Sequence, residues 1–488
     1  MRLRVLSVLC LFAVLAFSAD PALTIYNQQF AVVRETIPLD LKQGVNTIQF
    51  EGATGMLEPE SVMLRDPTGQ RVLRVLEQNY RADPISLDAL LRRYEGQTIQ
   101  FQVRSGDHVE LVSGKIVRAG EAQQRVYNNA SGQTGPTQPV IEVDGKLQFS
   151  LPGTPLFPTL GDALLKPLID WTVETDRAGR LDAELAYVTG GFNWSADYNV
   201  VQGDSDLLSM IGWVTMENRS GKTFEQAQIK LMAGDVNKIQ PRGAGGGGGV
   251  QLMASAGLSM NGAPPVQEKT FDEYHLYTLL RPVTLHDKET KQVEFVRAEG
   301  IQSAAIYIYD GAQIDANRFR GNPDAIRNDS SYGTQSNPKV WVMREFQNSD
   351  ANHLGMPLPK GKIRFYRRDT DGRLEFTGED AIDHTPKDER IRVFTGSAFD
   401  LAGERKRTVF LNDMGRRTID EGFEIKVRNH KKEAVEVRVV EHLYRGLTWD
   451  ISSHSDPFTK TDAQTVEFRV ALNPDQEKTV TYNAHYTW

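Results

Sequence analysis

Period-two alternation of apolar and polar residues dominates this chain and puts successive side chains on opposite faces of a β-strand. It is clearest near the C-terminus. Phe423, Ile425 and Val427 alternate with polar neighbours up to a turn at Asn429 to Glu433, and Val435, Val437 and Val439 then return. Val466, Phe468, Val470 and Leu472 repeat the pattern, Asn473-Pro474-Asp475 turns the chain, and Val480, Tyr482 and Tyr486 continue it. Four such strands with short turns predict an antiparallel sandwich layer with one dry and one wet face.

The same signal recurs upstream. Ile37, Leu39 and Leu41 alternate, and Pro38, which has no N–H to donate, points to an edge. Ile141/Val143 and Leu147/Phe149/Leu151 flank Asp144-Gly145, a two-residue hairpin signal. A second hairpin is expected around Ser105-Gly106-Asp107, and Ile363/Phe365 and Leu374/Phe376 flank Asp369-Thr370-Asp371-Gly372. One helix is legible: Ser86 as cap, Leu87, Leu90, Leu91 and Tyr94 on one face, Asp88 in the first turn, Arg92 and Arg93 in the last, and Gly96 beyond.

These signals predict a mostly β fold of antiparallel sandwich modules with one short helix near the N-terminus. The expected divisions are a β module over 20–82, a small barrel-like module over 83–155, a large β-sandwich region over 156–404, and an immunoglobulin-like sandwich over 405–488. Within the large region, 242–265 is Gly-rich and reads as a flexible loop, with Gly245 to Gly249 at its centre. Leu252, Met253, Leu258 and Met260 also suit it to an adaptable contact.

Residues 1–19 read as a signal peptide, with Arg2 and Arg4 followed by the apolar run Val5 to Phe17 and small residues at Ser18 and Ala19. That run is shorter than the ~20 residues of a spanning helix, so no transmembrane segment is expected after its removal. Cys10 is the one cysteine and lies within the signal, so the exported chain is expected to be thiol-free. The net charge of −8 argues against a nucleic-acid partner, which needs a basic face. The clusters Glu404-Arg405-Lys406-Arg407 and His430-Lys431-Lys432 read as solvated strand connections.

Familiar catalytic and cofactor patterns fail in detail. Gly221-Lys222-Thr223 mimics the end of a phosphate-binding loop, but Met216 stands where its first glycine is needed. Asp369 to Gly372 resembles the start of a calcium loop but lacks the later ligands, and a turn explains it. The nine histidines show no ligand spacing, and the near-elbow Gly257-Leu258-Ser259 has Asn261 where glycine is required. No cofactor, metal or catalytic residue is therefore assigned. The one constellation singled out for binding is Trp194, Asp197 and Tyr198, beside Phe192 and Asn193. Trp194 and Tyr198 share one face and Asp197 takes the other, so the rings either stack on a sugar or fill a core.

Three stretches carry a resemblance. They are Tyr187 to Tyr198 with its Gly-Gly-Phe-Asn-Trp centre, Gly212-Trp213 running through Glu217 to Gly221 and Leu231 to Gly234, and Leu354-Gly355-Met356-Pro357-Leu358-Pro359 with Gly361. They resemble the bacterial secreted-protein family called Domain of Unknown Function 4139, which includes mucoidy inhibitor A-like proteins. The resemblance covers roughly 160–488 and implies an exported protein of the periplasm, cell envelope or extracellular space. It brings no catalytic residues. The partner expected is an envelope protein or a glycan in a non-catalytic binding or scaffolding role, and the alternative is a secreted hydrolase acting on glycans through dispersed carboxylates.

Overall fold

A computed structural model describes residues 20–81, 87–106, 108–120, 138–159, 166–203, 206–234, 236–238, 266–271, 274–314 and 323–488. The expected signal peptide, the Ser86 cap, Asp107 of the second hairpin and the Gly-rich segment 242–265 lie outside them. The described chain is mostly β, built from mainly antiparallel sheets with little helix. Among the described residues no helix is long and apolar enough to cross a membrane.

The chain divides into two compact units that are interleaved in sequence rather than consecutive. The first comprises residues up to Asn193, Glu217–Leu231 and Arg281–Thr290; the second comprises Trp194–Met216, Met232–Leu280 and Lys291–Trp488.

In the first unit, strand Phe30–Leu41 lies between Ala22–Tyr26 and Gly179–Gly190, with Met63–Arg65 beyond. The strand carrying Pro38 is therefore internal and not an edge; the ladder with Ala22–Tyr26 ends at Arg34, so among the described residues Pro38 faces Asp182 alone and its missing N–H costs no ladder bond on the other side. A three-stranded sheet places Leu168–Thr175 between Gly44–Glu51 and Leu73–Arg81. Its Trp171 is buried, and the indole N–H donates to Gln78 Oε1 at 2.8 Å, which satisfies the ring's one polar atom. The third sheet runs, in order, Thr154–Leu156, Thr98–Ser105, His108–Arg118, Val140–Val143, Lys146–Gln148. Helix Leu87–Arg93 supplies Leu91 to its core, joined by Tyr94, Phe101, Ile116 and Ile141. Its hairpin turn has Asp144 and Gly145 at φ of 48° and 71°, the doubly left-handed pair that matches strand twist.

In the second unit a long run of strands carries, in order, Lys339–Gln347, Arg390–Asp413, Thr418–Asn429, Glu477–Thr487 and Thr448–His454. Val435–His442 runs parallel to Glu289–Asp310 on one side and antiparallel to Thr465–Leu472 on the other. This corrects the single-layer expectation for the C-terminal strands. Thr418–Asn429 does not pair with Val435–His442, which follows it; it pairs with Glu477–Thr487. The short connections at 430–434 and 473–476 are therefore arches between two facing ladders. The buried residues of both meet in one core of Phe423, Ile425, Val437, Val439, Phe468 and Tyr482. Alternation specifies which face of a strand is dry, and an arch and a hairpin leave that parity equally intact.

A second correction concerns Glu404-Arg405-Lys406-Arg407. These residues are no connection: they sit in the middle of the 24-residue strand Arg390–Asp413. The boundary expected between 404 and 405 falls inside the same strand. Arg405 shares the inward parity of Leu401 and Gly403 and is buried. Gly403 is needed there, because a Cβ at that position would stand 2.0 Å from the Tyr309 ring.

Candidate functional site

The aromatic residues singled out in the sequence are core residues. Trp194 and Tyr198 are both buried, the first donating its indole N–H to the Met232 carbonyl at 3.1 Å and the second its hydroxyl to the Pro359 carbonyl at 2.6 Å. Around them Tyr277 lies 6.2 Å from Trp194 and Phe295 lies 5.7 Å from Tyr198, centroid to centroid. Rings enclosed in this way present no face on which a sugar could stack. Asp197 does take the opposite face, where it accepts from Thr215 Oγ1 at 3.2 Å and pairs with Arg364 at 3.3 Å. Phe192, in the first unit, packs on Phe224.

The lookalike motifs are equally structural. Lys222 pairs with Glu35 and lies over the Phe50 and Phe224 rings. Asp369 and Gly372 close a hairpin, with the Gly372 N–H donating to the Asp369 carbonyl at 2.9 Å. Among the described residues no group of three or more metal-ligating side chains gathers.

The sequence reading missed a buried set of ionisable side chains. Arg405 is paired with Glu441, Nε to Oε1 at 2.8 Å and Nη2 to Oε2 at 2.9 Å, and its guanidinium lies 3.8 Å from the centre of the Phe423 ring. Tyr482 donates to Glu441 Oε2 at 2.6 Å. Nearby, Glu421 receives both Arg445 and Arg407. Arg445 also donates to the backbone carbonyls of Ile326, Asp329 and Tyr332, so it fastens helix Pro323–Asn328 and the segment after it to the sandwich.

Burial alone would lower the pKa of Arg405, but Glu441 and Tyr482 outweigh it and hold the guanidinium above its ordinary range. Burial, then the Glu441 charge, pushes the Tyr482 hydroxyl well above its own. Arg405 thus stays charged and Tyr482 protonated at neutral pH. The Glu441 side chain is 0% exposed and that of Arg445 1%, so neither can reach a substrate. The arrangement has the residue types of an acid–base site and the burial of a structural one. The available signal was the parity of Leu401, Gly403, Arg405 and Arg407, which puts two arginines on the dry face of an otherwise legible strand.

The surface feature with functional geometry is a polar groove of about 500 Å³ in the second unit. It lies where the end of Phe192–Gln202 and the start of Val435–His442 approach Glu289–Asp310. Four cations line it: Arg344, Arg367, Lys431 and Arg438. Its acids are already engaged. Asp206 pairs with Arg344 at 2.7 Å, Glu433 with Lys431 at 3.1 Å, and Glu436 with Arg469 at 3.8 Å. Lys431 also donates to the Tyr307 hydroxyl at 2.6 Å. Burial opposes its charge, but the Tyr307 and Glu433 bonds outweigh this and raise its pKa. Arg367 and Arg438 have no ion-pair or hydrogen-bond partner for their guanidinium groups among the described residues. Arg438 is half-buried and stands directly opposite Arg469 across the ladder.

No protein-family model matches the chain, and no curated protein is significantly similar to it.

Proposed function

We propose that this is an exported protein of the bacterial envelope or extracellular space, of the Domain of Unknown Function 4139 type, with a non-catalytic binding or scaffolding role. The observation that carries this reading is the fate of the acid–base groups. Glu441, Glu421 and Tyr482, groups of the kind that transfer protons, are sealed in a core and bonded to Arg405, to Arg445 and to one another. A general acid must lie within hydrogen-bond reach of the proton it moves in a bound substrate, and here the reach is taken up by protein. The signal-like N-terminus and the thiol-free remainder support the export part. The test is an activity screen of purified protein on polysaccharide and ester substrates, which is expected to show no turnover. Turnover abolished by a single Asp or Glu substitution would replace this reading with the secreted hydrolase.

A further inference from the structure

The geometry points to the groove bounded by Arg344, Arg367, Lys431 and Arg438 as a binding site for a ligand carrying at least two carboxylates. The inference rests on the binding reading above and names the chemistry bound. The charges of the lining, paired off, leave a specific remainder. Arg344 is satisfied by Asp206 and Lys431 by Glu433, while Glu436 turns to Arg469, outside the lining. What is left is two guanidinium groups, Arg367 and Arg438, on one concave surface.

Arg438 has the stronger demand for an anion. Arg367 stands between Gln202 on the parallel ladder and Glu375 on the antiparallel one, and among the described residues its guanidinium forms no ion pair with Glu375. Arg438 faces Arg469, which is itself bracketed by Glu436 at 3.8 Å and Glu467 at 3.3 Å. Like charges directly opposite on a ladder are destabilising, and half-burial makes an uncompensated guanidinium costlier still. A planar fork of this kind accepts a carboxylate through two parallel hydrogen bonds.

The residual charge also selects between oxyanions. Two single positive charges match two separate carboxylates, each carrying one negative charge. A di- or polyphosphate concentrates more charge at one point and would also meet the carboxylates of Asp206, Glu433 and Glu436 along the same walls. The Tyr307 hydroxyl and Gln202 add neutral polar groups for the body of the ligand.

The test uses the full chain at low ionic strength in titration calorimetry with three probes: citrate, a galacturonate oligomer and inorganic pyrophosphate. Saturable binding of citrate or of the oligomer, tighter than pyrophosphate, is expected. The better of the two tells whether the carboxylates come from a small acid or an acidic polysaccharide. Arg438→Gln and Arg367→Gln should each weaken that binding at least tenfold, and raised salt should weaken it further. Arg367 is exposed, so its variant keeps the test decisive should Arg438→Gln fail to fold. Absence of binding by both carboxylate probes, a preference for pyrophosphate, or an unchanged affinity in a folded Arg367→Gln variant would overturn the assignment. Cleavage of the oligomer would instead remove the non-catalytic reading and leave the groove in place.

Discussion

Asn218 and Asn429 hold their chains with the same set of bonds. Each is fully buried at the last position of a strand, Leu207–Asn218 and Thr418–Asn429. Each accepts the backbone N–H two residues on, from Ser220 at 3.1 Å and from Lys431 at 2.9 Å. Each donates to the carbonyl four residues on, Lys222 at 2.8 Å and Glu433 at 2.9 Å. The remaining amide capacity crosses to another strand end, at Leu285 and His286 in one case and at Leu472 and Asn473 in the other. An amide both donates and accepts, so one side chain satisfies backbone groups that an arch would otherwise bury without partners.

Asn429→Ala should cost about 1–3 kcal/mol, because the buried carbonyls lose their donor. Asn429→Asp should cost more, since a carboxylate has nothing to donate and would face three carbonyl oxygens. Urea unfolding of the two variants checks this order, and equal or negligible losses would show that the arch is held elsewhere.

Val437 and Glu436 are adjacent on one strand and face opposite ways, the first buried and the second exposed. Val437→Asp places a charge inside the sandwich core and should cost more than about 4 kcal/mol. Glu436→Gln loses only a long surface pair with Arg469 and should stay within about 0.5 kcal/mol of the parent. Melting temperatures that shift equally in the two variants would contradict the register.

His442 is bonded to Asp310 at 3.0 Å and stacked on Tyr444. Burial disfavours its charged form, but the Asp310 bond outweighs burial and raises its pKa above the ordinary 6.5. A raised folded pKa means the folded state binds the proton more tightly. Its contribution is therefore fully present below 6.5 and is lost as pH rises through the folded value. The melting difference between the parent and His442→Gln should be largest near roughly pH 5 and should shrink by roughly pH 9. A difference that grows with pH would reverse the sign of the argument.

Much of the fold was legible because alternation reports directly on which side of a strand is dry. Phe423, Ile425, Val427, Val466, Phe468 and Val480 are all buried as their parity requires. The turn residues Asp144-Gly145 and Asp369 to Gly372 sit at hairpin tips, as their left-handed or Asx geometry demands. Pairing was not legible, because the stretch from Asn429 to Glu433 reads the same in a hairpin and in an arch. Arg405 was misread for a related reason: a charged run resembles a solvated tip unless its parity is followed through. The ring pair Trp194 and Tyr198 shows the converse, since aromatic alternation is common to a platform and a core and only burial separates them. The groove was invisible in sequence, as Gln202, Tyr307, Arg344, Arg367 and Arg438 come from separate strands.

Arg405 and Glu441 are committed to the fold rather than to chemistry, and a double-mutant cycle in equilibrium unfolding separates the two roles. Glu441→Leu and Arg405→Met should each cost about 3–5 kcal/mol, because either leaves a lone buried charge. The double variant should lose far less than the sum of the two, since packed apolar side chains of similar size replace the pair. Single variants as stable as the parent, or losses that simply add, would show that the buried pair does not hold the sandwich together.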